Sequence, residues 1–70
     1  MYKYRIKLIL EKNKDVEMLI DSLKEISEDL RIDNSLDGDF LLSLISPFPT
    51  QIFDLCAQFG RLKSVKIEEQ

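Results

Sequence analysis

The chain contains no histidine, a single cysteine (Cys56), and only two glycines and two prolines among its 70 residues. Without histidine, phosphotransfer through an imidazole is impossible. One cysteine permits no internal disulfide, and one cysteine without histidine makes no structural zinc site. The scarcity of glycine and proline, beside 44% hydrophobic and 33% charged residues, argues for a folded globule rather than disorder. No apolar run approaches the roughly 18 residues that span a bilayer. Residues 1 to 12 interleave charge with apolar side chains, unlike the apolar heart of a secretory signal. A lone thiol without such a signal fits a reducing compartment, so a cytoplasmic protein with no membrane partner is expected. Seventy residues make one small domain, 1–70, which buries only about 60% of the surface its unfolded form exposes. Packing must stabilise it alone, or packing together with self-association.

What is present is a change of period, made four times. "YKYRIKLIL", residues 2 to 10, alternates strictly. Tyr2, Tyr4, Ile6, Leu8 and Leu10 share one face, and Lys3, Arg5, Lys7 and Ile9 the other, as in a strand buried on one side. "EKNKD" breaks the pattern, with Asn13 as a helix N-cap. Val16, Leu19, Ile20, Leu23 and Ile26 then recur at three and four residues, the stripe of an amphipathic helix near 15–28. Asp15 and Glu17 lie in its first turn, where the helix dipole favours negative charge. "LRID" at 30–33 is a short second strand, followed by "NSLDGD". Its Asp37-Gly38 pair suits the positive φ of a tight hairpin turn. "FLLSLIS" is a third strand whose near-continuous apolarity implies cover on both faces or one face needing cover. After "PFP" a second helix starts at Pro49 and carries Ile52, Leu55, Cys56 and Phe59 on one stripe. Gly60 stands where a left-handed cap belongs. "RLKSVKI" alternates again, placing Val65 and Ile67 inward and Leu62, Ser64 and Lys66 outward.

The order β-α-β-β-α-β is the split βαβ arrangement of the ferredoxin-like superfold, an α+β class. It predicts a sandwich with a four-stranded antiparallel sheet in the order 4-1-3-2. Right-handed crossovers place both helices on one face. Ile6, Leu8, Leu23, Leu44 and Phe59 are expected to dominate the core.

Ferredoxin-like domains include enzymes, metal carriers, sensors and RNA binders. An acylphosphatase would show a glycine-rich loop with an arginine after the first strand, and a heavy-metal carrier a CxxC pair; "EKNK" offers neither. The paired carboxylates Glu28-Asp29, Asp37/Asp39 and Glu68-Glu69 read as solvated charge in turns or at the terminus. General acid–base catalysis instead needs a shielded carboxylate. Asp33, Asp37 and Asp39 with Asn34 lack the spacing of a calcium loop. Cys56 reads as a small buried hydrophobe. The expectation is a non-enzymatic protein with no cofactor and no metal.

Two resemblances extend this. The architecture resembles an ACT-type sensor domain across the whole chain, which implies a small-molecule ligand, but "LEKNKDV" lacks the glycine of that family's ligand loop. "FGRLKSVKI" resembles the end of an RNA-recognition motif, where helix, turn and fourth strand meet. That resemblance implies bases stacked on aromatics of the two central strands. Here Tyr2, Tyr4 and Phe40 take the inward parity, and the sequence pI is 4.8.

Charge is divided unevenly. Residues 15–29 hold Asp15, Glu17, Asp21, Glu25, Glu28 and Asp29 against Lys24, whereas the outward strand positions hold Lys3, Arg5, Lys7 and Lys66. The outward parity also carries Ile9, Leu41, Ile45 and Leu62, enough for an apolar patch of a few hundred Å² if contiguous. The expected partner is therefore a protein, or a second copy in a homodimer. It would be met by an aliphatic strip of Ile9, Leu41, Ile45 and Leu62 framed by Lys3, Arg5, Lys7 and Lys66. Nucleic acid gripped by the same cations is the alternative, and an ACT-like ligand site the third.

Overall fold

The computed structural model describes residues 2–11, 16–35 and 37–70. The Asn13 cap and the Asp15 first-turn charge expected from the sequence lie outside these. The elements are β1 (Tyr4–Leu10), α1 (Val16–Ile26), β2 (Glu28–Asn34), β3 (Phe40–Ser46), α2 (Pro49–Phe59) and β4 (Leu62–Glu69). One antiparallel sheet runs in the order β2-β3-β1-β4, which is 4-1-3-2 counted from the other edge. Both central strands are those expected, and the fold is of the ferredoxin-like α+β class.

The core follows from the two periods. Ile6, Leu8 and Leu10 on β1 and Phe40, Leu42 and Leu44 on β3 turn one face inward. Leu19 and Leu23 of α1 and Ile52 and Cys56 of α2 pack onto that face. Val16, Ile26, Leu30, Ile32, Phe53, Leu55 and Phe59 close around them, half-buried. Phe59, expected at the centre, is therefore at the margin. As the last residue of α2, it lies at the edge of the layer. Tyr2 precedes β1 and is 69% exposed, so only Tyr4 of the expected inward tyrosines packs on the core.

Helix and turn ends show what local signals did. Pro49 opens α2, as its fixed φ allows. Gly38 has φ +87, the left-handed geometry glycine tolerates. Its N–H donates to the Ser35 carbonyl at 3.1 Å, and the Ser35 N–H donates to the Asp39 carbonyl at 2.8 Å. β2 ends at Asn34 and β3 begins at Phe40, so the connection is longer than the tight hairpin turn expected.

Gly60 is not the left-handed cap expected. Its φ of 174° and ψ of −176° are fully extended. A Cβ there would lie 2.9 Å from the Glu11 carbonyl oxygen, so the requirement is space between α2 and the end of β1.

α1 is shorter at its C-terminal end than the spacing predicts. It ends at Ile26, where Ser27 Oγ donates back to the Leu23 carbonyl, and Glu28 and Asp29 belong to β2. Asp29 adopts φ +53, a conformation in which aspartate is enriched. The register of β2 on β3 shifts between Glu28 and Arg31. That bulge lets a strand starting directly after the helix still turn Leu30 and Ile32 toward the core.

Ser46 is fully buried at the end of β3. Its hydroxyl donates to the Ile26 carbonyl at 2.6 Å and accepts from the Phe48 N–H at 3.0 Å. One side chain thereby ties the end of α1, the end of β3 and the start of α2.

Truncating Leu8 or Leu23 to alanine is expected to cost about 2–5 kcal/mol through lost burial and the cavity left behind. That is a large share of a small domain's stability. Urea titration would show a lower midpoint for both variants; an unchanged midpoint for Leu8→Ala would contradict the inward parity of β1.

Candidate functional site

The uncovered face of the sheet is a grid set by strand register. Across one row stand Glu28, Ile45, Arg5 and Glu68. Arg31, Ser43, Lys7 and Lys66 form the next, and Asp33, Leu41, Ile9 and Ser64 the third. Lys3 lies beyond the first row. Opposed residues in antiparallel strands share a face, so these twelve side chains all leave the sheet opposite the helices.

The grid sorts the expected residues. Lys3, Arg5, Lys7, Ile9, Leu41, Ile45 and Lys66 all take the outward side. Leu62 does not. The register shifts between Ile9 and Leu10, so that Ser64 faces Ile9 and Leu62 faces Leu10. Lys63 is the extra residue of this bulge, and Leu62 packs against the core. A bulge of one residue reverses the parity of everything beyond it, which alternation alone does not reveal.

The aliphatic strip is also not continuous. Ile9 and Leu41 are direct cross-strand neighbours. Ile45 lies four residues along β3, about 13 Å away at the usual strand rise, with the Ser43–Lys7 row between. Two depressions result. The larger, about 580 Å³, has Ile9 and Leu41 in its lining, with Arg5, Lys7, Arg31 and Lys66 around them. The smaller, about 330 Å³, holds Ile45 with Pro47 and Phe48, between Lys3 and Glu28.

The cations are not bare. Lys3 pairs with Glu28, and Arg5 reaches across β3 to Asp29 at 3.0 Å, also donating to Ser43 Oγ at 3.1 Å. Arg31 shares Asp29 at 3.4 Å, and Lys66 pairs with Glu68 of its own strand at 3.3 Å. Lys7 makes no ion pair among the described residues. Glu28 and Asp29, assigned from the sequence to solvated turns and the acidic helix, instead neutralise part of the basic stripe. On the far side, Glu17, Asp21 and Glu25 of α1 are exposed.

The Arg5 guanidinium, with Arg31 beside it, holds the Asp29 carboxyl below the usual carboxylate range. A group lowered in this way adds stability above its unfolded value and loses it as pH falls through the folded one. These pairs are exposed, so their weight in stability is small; their effect is to orient Arg5 over Ser43. A different pair pins the end of the sheet. Asp39, buried, meets Lys63 at 2.8 Å, joining the β2–β3 hairpin to the β4 bulge. The Asp39 carboxylate raises the Lys63 ammonium above the ordinary lysine range. Stability from that shift is complete below the unfolded value and fades as pH rises through the raised one.

Asp33, Asp37 and Asp39 form no group among the described residues that could hold a metal ion. Cys56 is fully buried, and burial pushes its thiol up to about 11. No helix among the described residues is long and apolar enough to cross a membrane. No protein-family model matches the chain, and neither a curated protein nor a solved structure shows significant similarity to it.

In carbon-detected titration the Asp29 carboxyl should titrate below the ordinary range and move upward in Arg5→Gln; an unmoved midpoint would sever the pair. The raised thiol pKa leaves little thiolate at neutral pH. Native Cys56 should therefore resist a thiol-disulfide reagent and react fully once the chain is denatured. Prompt labelling of the native protein would place the sulfur at the surface.

Proposed function

We propose that the protein is a non-enzymatic interaction module that receives an acidic, aliphatic-bearing protein segment in the larger sheet depression. The observation that carries this is the Ile9–Leu41 pair on an open face with Lys7, Arg31 and Lys66 in the adjoining row. Burying an aliphatic partner side chain on Ile9 and Leu41 supplies the favourable term, about 25 cal/mol per Å² of apolar surface removed from water. The cations act mainly on orientation and encounter rate. Lys7, having no ion pair among the described residues, is available to an incoming carboxylate without displacing a resident one.

The mixed charge of the grid favours a protein over nucleic acid. Phosphate binding depends on cations free to replace counterions, whereas Arg5, Arg31 and Lys66 already hold carboxylates. A base-stacking surface also needs aromatics, and the twelve grid positions have none.

The test is an amide-shift titration with a peptide of alternating glutamate and leucine, run beside oligouridine. The peptide should perturb Lys7, Ile9, Leu41 and Ser43, and Ile9→Asp with Leu41→Asp should remove the response while helicity is retained. Binding of oligouridine alone, weakening steeply with salt, would instead assign the face to nucleic acid.

A further inference from the structure

The sheet has two edges, and they are built differently. β2 carries a register shift and a residue at positive φ, devices that twist an edge away from further pairing. β4 has its irregularity only at Lys63. From Ser64 to Glu69 its register on β1 is regular, and beyond it the Gln70 N–H donates to the Lys3 carbonyl at 2.9 Å. The outer edge of β4 is thus a straight row of backbone donors and acceptors, held in place along its length.

Its helix-side face is apolar and only partly covered. Val65 and Ile67 share the inward parity with Leu8 and Ile6, their partners on β1, yet each remains 44% exposed. The helices make their main strand contacts with β1 (α2) and β2 (α1), so the β4 side of the helical layer is only partly closed. Inward parity with incomplete cover marks a surface that a neighbour would complete.

We propose that β4 pairs antiparallel with β4 of a second copy of this chain, with the twofold axis at Lys66. The strand is self-complementary in that register. Val65 of each copy falls opposite Ile67 of the other, so four aliphatic side chains meet under the joined edge. On the outer face Ser64 falls opposite Glu68. Lys66 lies beside its own counterpart, but each is diagonal to the other copy's Glu68, within reach across a strand pair. Its present 3.3 Å contact with Glu68 of its own chain shows the two side chains to be of suitable length. A twofold axis normal to the sheet closes the assembly at two copies, because the remaining edges are the bulged β2 strands. The result is one eight-stranded sheet with the Ile9–Leu41 depression of each copy on the same open side, so the dimer does not compete with a partner bound there.

The test measures mass against concentration, to about 1 mM, together with amide exchange. The native protein should dimerise, and the Ser64–Glu68 amides should gain protection as concentration rises. Val65→Lys with Ile67→Lys should weaken association by at least about tenfold, because like charges then face one another across the edge. Val65→Lys with Ile67→Glu should restore it, since only this register places the new lysine opposite the new glutamate. Circular dichroism reports whether each variant folds. If the charged variants fail to fold, the exchange experiment on the native chain decides alone. A native protein that is monomeric throughout overturns the proposal. So does a folded double-lysine variant that dimerises as before, or a dimer whose β4 amides gain no protection. Ile9→Asp with Leu41→Asp, which removes the sheet depression, should leave dimerisation unchanged, separating this edge from the proposed partner site.

Discussion

Leu19 and Leu23 of α1 and Ile52 and Cys56 of α2 press onto one face of β1 and β3, and the rest of the molecule adjusts to that contact. Among the described residues, two 11-residue helices provide the cover. They shield the central strands from one side and leave the opposite face and part of the inner side of β4 to solvent. Eight of the twelve buried residues among those described are leucine or isoleucine, and Ser46 fits among them because its hydroxyl both donates and accepts. Among the described residues no buried side-chain polar atom is left without a partner, as a core with little energy in reserve requires.

On the open face the same economy appears as charge. Strand alternation turns Arg5 and Lys7 of β1 outward, with Lys3 just before the strand on the same side. The sheet then brings acids of both edge strands beside them: Glu28 and Asp29 from β2 and Glu68 from β4. What alternation would leave as a basic stripe becomes a mosaic, with Lys7 between two aliphatic islands. In the function proposed above, such a surface would select by pattern rather than by net charge, as suits a protein partner better than a polyanion.

The bulges carry more of the specific geometry than their size suggests. At the start of β2 the irregularity lets a strand follow a helix after one residue while its apolar pair still faces inward. At Lys63 the second bulge turns Leu62 into the core and sends the lysine to Asp39 across the end of β1. Both lie on edge strands, where an extra residue disturbs only one ladder.

The period of the apolar residues was sufficient to determine the six elements, their order and the parity of Lys3 through Leu10. This is because a side chain's face in a regular strand or helix depends only on its place in the repeat. The two central strands came from the ferredoxin-like arrangement that this order implies. Pro49 and Gly38 were equally legible, since their constraints are local. Tertiary structure decided what no repeat encodes. Ending α1 at Ile26 moved Glu28 and Asp29 from the acidic helix to the basic face. The extended Gly60 answers to the Glu11 carbonyl, a residue distant in sequence. Leu62 changed sides through one extra residue in β4, and Ile45 was parted from Ile9 by the stagger of β3 on β1. Each of these depends on a register or a close approach between segments far apart in the chain, and such distances are set only when the layers pack.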